Sequence, residues 1–272
     1  MSDEHPISHR LPPWALGALP EIELVIGARR PAFFLDLDGT LAPIACRPDL
    51  VEMPAATREI IDRLARKFLV CITSGRGLEE LRQVVRAPSV YYAANHGHEI
   101  LGPPGSGIIL EVGTEYRGAV ESVAAEVEKA LGSVEGVVIE NKGLSLAVHY
   151  RLVAVEERPR VERAVKGATA RHPALRLLRG RMVFDVLPPQ VWDKGRATTW
   201  LLEHSGWGPE DVCPVCLGDD LTDEDMFAAV QGWGLSVLVG SPERATHAGY
   251  RLHDGQEVAR FLEVFATADA DL

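Results

Sequence analysis

Phe33-Phe34-Leu35-Asp36-Leu37-Asp38-Gly39-Thr40-Leu41 constrains this chain more than any other stretch. An apolar run of the kind that fills a buried parallel strand breaks into two carboxylates one residue apart, then Gly-Thr. Side chains alternate along a strand, so Asp36 and Asp38 start on the same side. Gly39 lets the chain turn there. Two acids at the carboxyl end of a strand stand where open α/β sheets place their ligands. They repel each other unless a cation lies between them, and Mg²⁺ suits a site built of oxygens that works beside a phosphate. With a metal present, one Asp can attack phosphorus and form an aspartyl-phosphate, while the other holds or donates a proton. The plainer reading is a pair of acids that cap a turn. The Asp-x-Asp-Gly-Thr spacing at a strand end favours catalysis over it.

Composition narrows the field. A chain of 272 residues with 46% hydrophobic content supports a real core in one large domain or two moderate ones. A net charge of −11 argues against a general nucleic-acid or anionic-membrane surface. No transmembrane run is visible, and residues 1–10 lack the basic-then-apolar pattern of a signal peptide, so a cytoplasmic location and no membrane partner are expected. A monomer or weak homo-oligomer is the expected state. Cys213-Pro-Val-Cys216 invites a metal or redox reading. Residues three apart on a strand face opposite sides, however, and no second cysteine pair completes a zinc site, so buried structural cysteines are expected.

Periodicity then gives the layout. Residues 16–29 read as a short amphipathic helix interrupted by Pro20. Residues 57–68 carry Ile60, Ile61, Leu64 and Phe68 at helical spacing, and 68–72 read as a second buried strand ending in Thr73-Ser74-Gly75-Arg76. A helix bearing Leu78, Leu81 and Val85 and a strand over 90–94, ending in Asn95-His96-Gly97, continue the alternation. Such β-α-β-α-β order indicates a doubly wound parallel sheet. A Pro/Gly cluster at 103–107 marks a break. After it, helix, two strands, helix and two more strands read as a small α+β domain inserted over 105–189, with the core formed by 1–104 and 190–272. Beyond Pro188-Pro189, helices over 194–204, 223–230 and 256–265 and strands near 212–217 and 235–239 resume the α/β pattern. Pro214 suggests an edge position or an irregularity in its strand.

Gly218-Asp219-Asp220-Leu221-Thr222-Asp223 is the second strong signal: three acids beside a glycine turn after an apolar strand can ligate a divalent cation. Thr222 and Asp225 look like a capping pair at a helix start. Ser74 sits at a strand end ahead of a helix, where a hydroxyl and backbone N–H groups suit a phosphate oxygen. Arg76 either meets an anion or lies on the surface. Lys194 opens a helix against the local dipole, which points to a functional ammonium that neutralises phosphate and carboxylate. In the insert, Glu140-Asn141-Lys142-Gly143 reads as a hairpin turn that a hinged domain could lower over a site, and Arg179 and Arg181 flank a second turn.

In this order, Asp36-x-Asp38, Ser74, Lys194 and Gly218-Asp219-Asp220-x-x-Asp223 resemble the haloacid dehalogenase-like (HAD) superfamily, and the insert resembles its αββαββ cap. Leu35 through Ile44, Thr73-Ser74-Gly75-Arg76, Asn95-His96-Gly97, Glu140-Asn141-Lys142-Gly143, His149-Tyr150-Arg151 and Gly218 through Glu224 narrow the likeness to trehalose-6-phosphate phosphatases. Where that family often has Glu-x-Arg or Glu-x-Lys, this chain has Asp185-Val186-Leu187-Pro188. The resemblance implies a Rossmann-like core and a Mg²⁺-dependent phosphatase acting on a small sugar phosphate. It assigns Asp36 as nucleophile and metal ligand, and Asp38 as acid–base that offers its carbonyl to the metal. It gives Ser74 and Lys194 to the phosphoryl group, Asp219 to the metal with Asp220 and Asp223 in support, and Arg76, Asn95, His96, Glu140 and Lys142 to the substrate. Trehalose 6-phosphate is the expected substrate. The alternatives are a phosphatase for a glucosylglycerol or glucosylglycerate phosphate, a sugar phosphotransferase or mutase, and a degenerate binding module.

Overall fold

A computed structural model describes residues 11–180, 182–189, 192–206, 210–241 and 245–268. The chain divides into two compact units, one formed by the chain up to Leu110 and again from Trp192, the other by Glu111–Val191.

In the first unit, α1 (Leu19–Ile26) leads into β1 (Arg30–Asp36). Pro20 does not interrupt this helix but begins it, in the first turn, where a missing N–H costs nothing. There follow α2 (Ala55–Ala65), β2 (Leu69–Thr73), α3 (Leu78–Val85) and β3 (Tyr91–Ala94). Short strands β4 (Glu99–Leu101) and β5 (Ile109–Glu111) come next; neither is visible as a sequence pattern. The Pro/Gly cluster expected to open the insert is instead the turn between them, with the Gly102 N–H donating to the Ile108 carbonyl at 2.8 Å. The division between units falls after Leu110 rather than at 104/105.

The second unit runs α4 (Arg117–Leu131), β6 (Val138–Asn141), β7 (Leu146–His149), α5 (Arg158–Ala170), β8 (Arg176–Gly180) and β9 (Val183–Leu187). Its antiparallel sheet has the order β6-β7-β9-β8. One sheet face, with Leu146, Val148, Phe184 and Val186, packs on Val120, Val123 and Val127 of α4 and Val161 and Val165 of α5. Glu140, Ala147, Asp185 and Leu178 pair in register across the opposite face. Arg181 lies outside the described residues.

The chain then gives α6 (Lys194–His204), β10 (Val212–Gly218), α7 (Glu224–Ala229), β11 (Leu235–Val239), β12 (Tyr250–Leu252) and α8 (Gly255–Thr267). The first unit's sheet has the order β12-β11-β10-β1-β2-β3-β4-β5, parallel from β12 to β3 and antiparallel where β4 joins. The fold is thus a doubly wound α/β core with an inserted α+β unit. Pro214 lies in a central strand, not at an edge, because β10 pairs with both β1 and β11. The strand accommodates it by register. The Arg30 N–H donates to Asp211, so along β10 the odd-numbered residues face β1 and Pro214 faces β11. The β11 ladder begins one residue later, at Val215, so no hydrogen bond needs the missing N–H. Cys213 and Cys216 pack in separate core clusters on the two faces of the sheet.

The same topology locates the site. β1 has β2 on one side and β10 on the other, so strand order reverses at β1 and a crevice opens at its carboxyl end. In register, Asp36 stands beside Thr73 of β2, and Leu35 beside Leu217 of β10. The sequence motifs that follow these three strands therefore converge.

Candidate active site

Alternation places Phe33 and Leu35 on one side of the sheet and Phe34 on the other; Asp36 continues the Phe34 side, towards α6. There the Lys194 ammonium donates to Asp36 Oδ1 at 2.6 Å and to Asp223 Oδ1 at 2.7 Å. Lys194 is 2% exposed and belongs to the buried site, not to a solvated helix start. The Asp193 carboxylate caps the helix by accepting from the Arg196 N–H at 2.8 Å, which holds the helix start in place despite the cation.

Two glycines let the acidic loops meet. Gly39 has φ +96°, and a β-carbon there would overlap the Asp219 carboxylate; a β-carbon on Gly218 would overlap the Asp223 carboxylate. Asp223 is the hub. Its Oδ2 accepts the Asp219 and Asp220 N–H groups, each at 3.0 Å, while its Oδ1 takes Lys194. Asp220 and Asp223 form a reciprocal capping box around a short 3₁₀ turn, so Asp220 fills the capping role expected of Thr222 and Asp225.

Ligand oxygens of Asp36, Asp219 and Asp223 lie within 4.8 Å of one another. Burial, then the Asp223 and Asp219 charges, pushes the Asp36 carboxyl well above its ordinary value, although Lys194 opposes the shift. Burial, then Asp223 and Asp220, pushes Asp219 up to about 7. Burial alone would lower the Lys194 ammonium, but Asp223 and Asp36 outweigh it and hold it above its usual range. Three carboxylates face one ammonium, an oxygen-only donor set with an excess of two negative charges when ionised. That set fits a hard divalent cation. The structure brings neither the Asp38 nor the Asp220 carboxylate into this trio.

Asp38 lies past the end of β1, in the turn where the Gly39 N–H donates to Ala42 at 2.7 Å. Its carboxylate is taken by Arg76. Ser74 is buried directly after β2, and its Oγ accepts the Arg76 N–H at 3.2 Å. The loop after β3 clamps this segment: the Asn95 N–H donates to the Arg76 carbonyl at 2.8 Å and the His96 N–H to the Ser74 carbonyl at 3.0 Å. Asn95 and His96 both hold positive φ, 49° and 56°, which is uncommon away from glycine. The Asn95 amide reaches Glu99.

Within the inserted unit, Glu140 accepts from His149 Nε2 at 2.8 Å, and Lys142 Nζ lies 3.9 Å from the same carboxylate oxygen. The sequence carried signals for two partners it left unassigned. Glu80 stands four residues after Arg76, in the first turn of α3. His149 lies diagonally across the hairpin from Glu140.

The acid pair, the buried lysine and the second acidic loop thus meet at the switch point of a doubly wound α/β fold, and the chain is a phosphoric monoester hydrolase. The chain belongs to the trehalose-phosphatase family, whose model matches residues 34–256. It is 34% identical over 262 residues to a probable trehalose-phosphate phosphatase D of Arabidopsis thaliana, covering 92% of this chain and 71% of that protein. It is 37% identical over 245 residues to a trehalose-phosphate phosphatase of Mycobacterium bovis, covering 88% of this chain and 62% of that protein. The C-terminal domain of a C. albicans trehalose-6-phosphate phosphatase shares the fold, with a TM-score of 0.79 at 24% identity over 94% of this chain and 98% of that one. No helix among the described residues is long and apolar enough to cross a membrane.

Proposed function

We propose that this chain hydrolyses trehalose 6-phosphate to trehalose and phosphate, with Mg²⁺ held by Asp36, Asp219 and Asp223 and the Asp38 carbonyl. The observation that carries the reading is the trio of acids at the strand-order reversal, two of them buried and braced by Lys194. When bound, Mg²⁺ supplies neutralisation of the phosphate oxygens and of the acids around them. Asp36 attacks phosphorus. The bond to the sugar oxygen breaks, its electron pair goes to that oxygen, and Asp38 delivers a proton to it. A water then attacks the aspartyl-phosphate, giving its proton to Asp38 and returning the Asp36 carboxylate. Ser74 and Lys194 hold the phosphoryl group through both steps. Asn95 and His96 fix the Ser74 segment, and Glu140 and Lys142 read the sugar.

Phosphate release across a panel of sugar phosphates tests this. Trehalose 6-phosphate should give the highest kcat/KM. A glucosylglycerol or glucosylglycerate phosphate in first place would reassign the substrate, and return of phosphate to a sugar hydroxyl would make the enzyme a phosphotransferase.

Cation binding should also depend on pH. Asp219 is protonated below about 7 and must lose that proton to act as a ligand; the raised Asp36 acts in the same sense. Mg²⁺ affinity should therefore fall by at least about tenfold per unit as pH drops below 7. Calorimetry at pH 6 and pH 8 checks this, and equal affinities with no proton release would contradict it.

A further inference from the structure

The Arg76 guanidinium closes on Asp38 from two nitrogens: Nε donates to Oδ2 at 2.8 Å and Nη2 donates to Oδ1 at 2.8 Å. The fork is itself held. Nη1 donates to the Pro48 carbonyl at 3.1 Å and to the Glu80 carboxylate, and Arg76 is 7% exposed. Such two-point pairing fixes the plane of a carboxylate as well as its position, which a lysine cannot do. Asp38 needs that help. It sits on a turn beyond its strand, one-third exposed, and among the described residues the hydrogen bonds to its carboxylate come from Arg76 alone. A carboxylate offers about four lone-pair positions. Arg76 takes two and leaves the others to hold a proton for a departing oxygen or to accept one from water.

We propose that Arg76 is a positioning residue for the proton transfers of Asp38, not a group that grips the substrate. The proposal rests on the acid–base role given above to Asp38. It predicts a loss that depends on the leaving group. A sugar oxygen needs Asp38's proton to depart, whereas nitrophenolate leaves without one.

First-turnover rates with Mg²⁺ should be measured by rapid mixing for trehalose 6-phosphate and p-nitrophenyl phosphate, using R76A, R76K, D38N and the R76A/D38N double variant. R76A should slow the first turnover of trehalose 6-phosphate about 10²-fold. Its loss on p-nitrophenyl phosphate should be at least about tenfold smaller. R76K keeps the charge without the fork and should fall between R76A and the wild type on the sugar ester. The double variant should lose little beyond D38N, because Arg76 acts through Asp38. Ester-dependent loss in D38N with equal losses in R76A overturns the proposal alone. Equal losses in D38N overturn the acid–base role and the proposal with it. A rise in KM with kcat intact in R76A would make Arg76 a substrate ligand. Circular dichroism and Tm establish that each variant folds, and R76K carries the comparison should R76A not do so.

Discussion

Replacing Asp36 by Asn is expected to remove turnover of trehalose 6-phosphate by at least about 10⁴-fold while leaving the fold intact or more stable. The amide is nearly isosteric but a poor nucleophile. The stability half of the result follows from the site's electrostatics. Burial and the neighbouring Asp223 and Asp219 hold the Asp36 carboxyl well above its ordinary value despite Lys194. A folded-state value above the unfolded one means that the ionised group weighs against the folded form at neutral pH, and that stability is lost as pH rises through the folded value. A neutral Asn escapes this term. Without divalent cation at pH 7, the Tm of D36N should equal or exceed that of the wild type, even though phosphate release has vanished. Substantial residual activity, with deamidation excluded, would take the nucleophile's role from Asp36. A steep fall in Tm would mean that the Lys194 contact outweighs burial and repulsion.

Catalytic and structural demands separate here in a way the sequence partly discloses. Asp36, Lys194 and the Asp219 to Asp223 loop were legible because each follows a strong local pattern, an apolar strand or a helix start, and because residue type at such places is restricted by chemistry. The parallel core was legible for the same reason, since its strands are apolar on both faces. Strands of three residues such as β4, β5 and β12 give too short a period to register. The Pro/Gly cluster at 103–107 looked like a linker because turn chemistry is the same in a hairpin as at a domain boundary.

Proline at 214 misled for a related reason. The rule that proline avoids central strands concerns its missing N–H, and whether that N–H would be used depends on where the neighbouring ladder begins. Only the three-dimensional register answers that. The different partners of the two motif aspartates were equally hidden. Alternation predicts that Asp36 and Asp38 begin on one side, but the strand ends at Asp36, and beyond it the turn hands Asp38 to Arg76 while Asp36 stays with Lys194. Pairings of this kind join residues tens or hundreds of positions apart, so no local window contains both partners.

Replacing Lys194 by Met should be the most destabilising of the site substitutions and should abolish activity as well. The apolar side chain fills much of the same space but removes the ammonium shared by Asp36 and Asp223. Breaking a buried ion pair from one side costs about 3–5 kcal/mol, because the remaining charge stays buried and uncompensated. That cost should depend on pH. Lys194 lowers the values of both Asp36 and Asp219, so its loss raises carboxyls that already stand high, Asp219 at about 7. The folded variant then takes up protons at a pH where the unfolded chain, with ordinary carboxyls near 4, does not. Its stability should rise as pH falls from 8 to 5, and the Tm deficit against the wild type, measured with chelator present, should shrink over the same interval. Added Mg²⁺ should recover part of the deficit at pH 8 by replacing the lost positive charge, without restoring phosphate release, because the ammonium proposed to hold the phosphoryl oxygens is still missing. A Tm at pH 8 equal to the wild type, or a deficit unchanged between pH 5 and pH 8, would show that Lys194 does not neutralise this acid cluster.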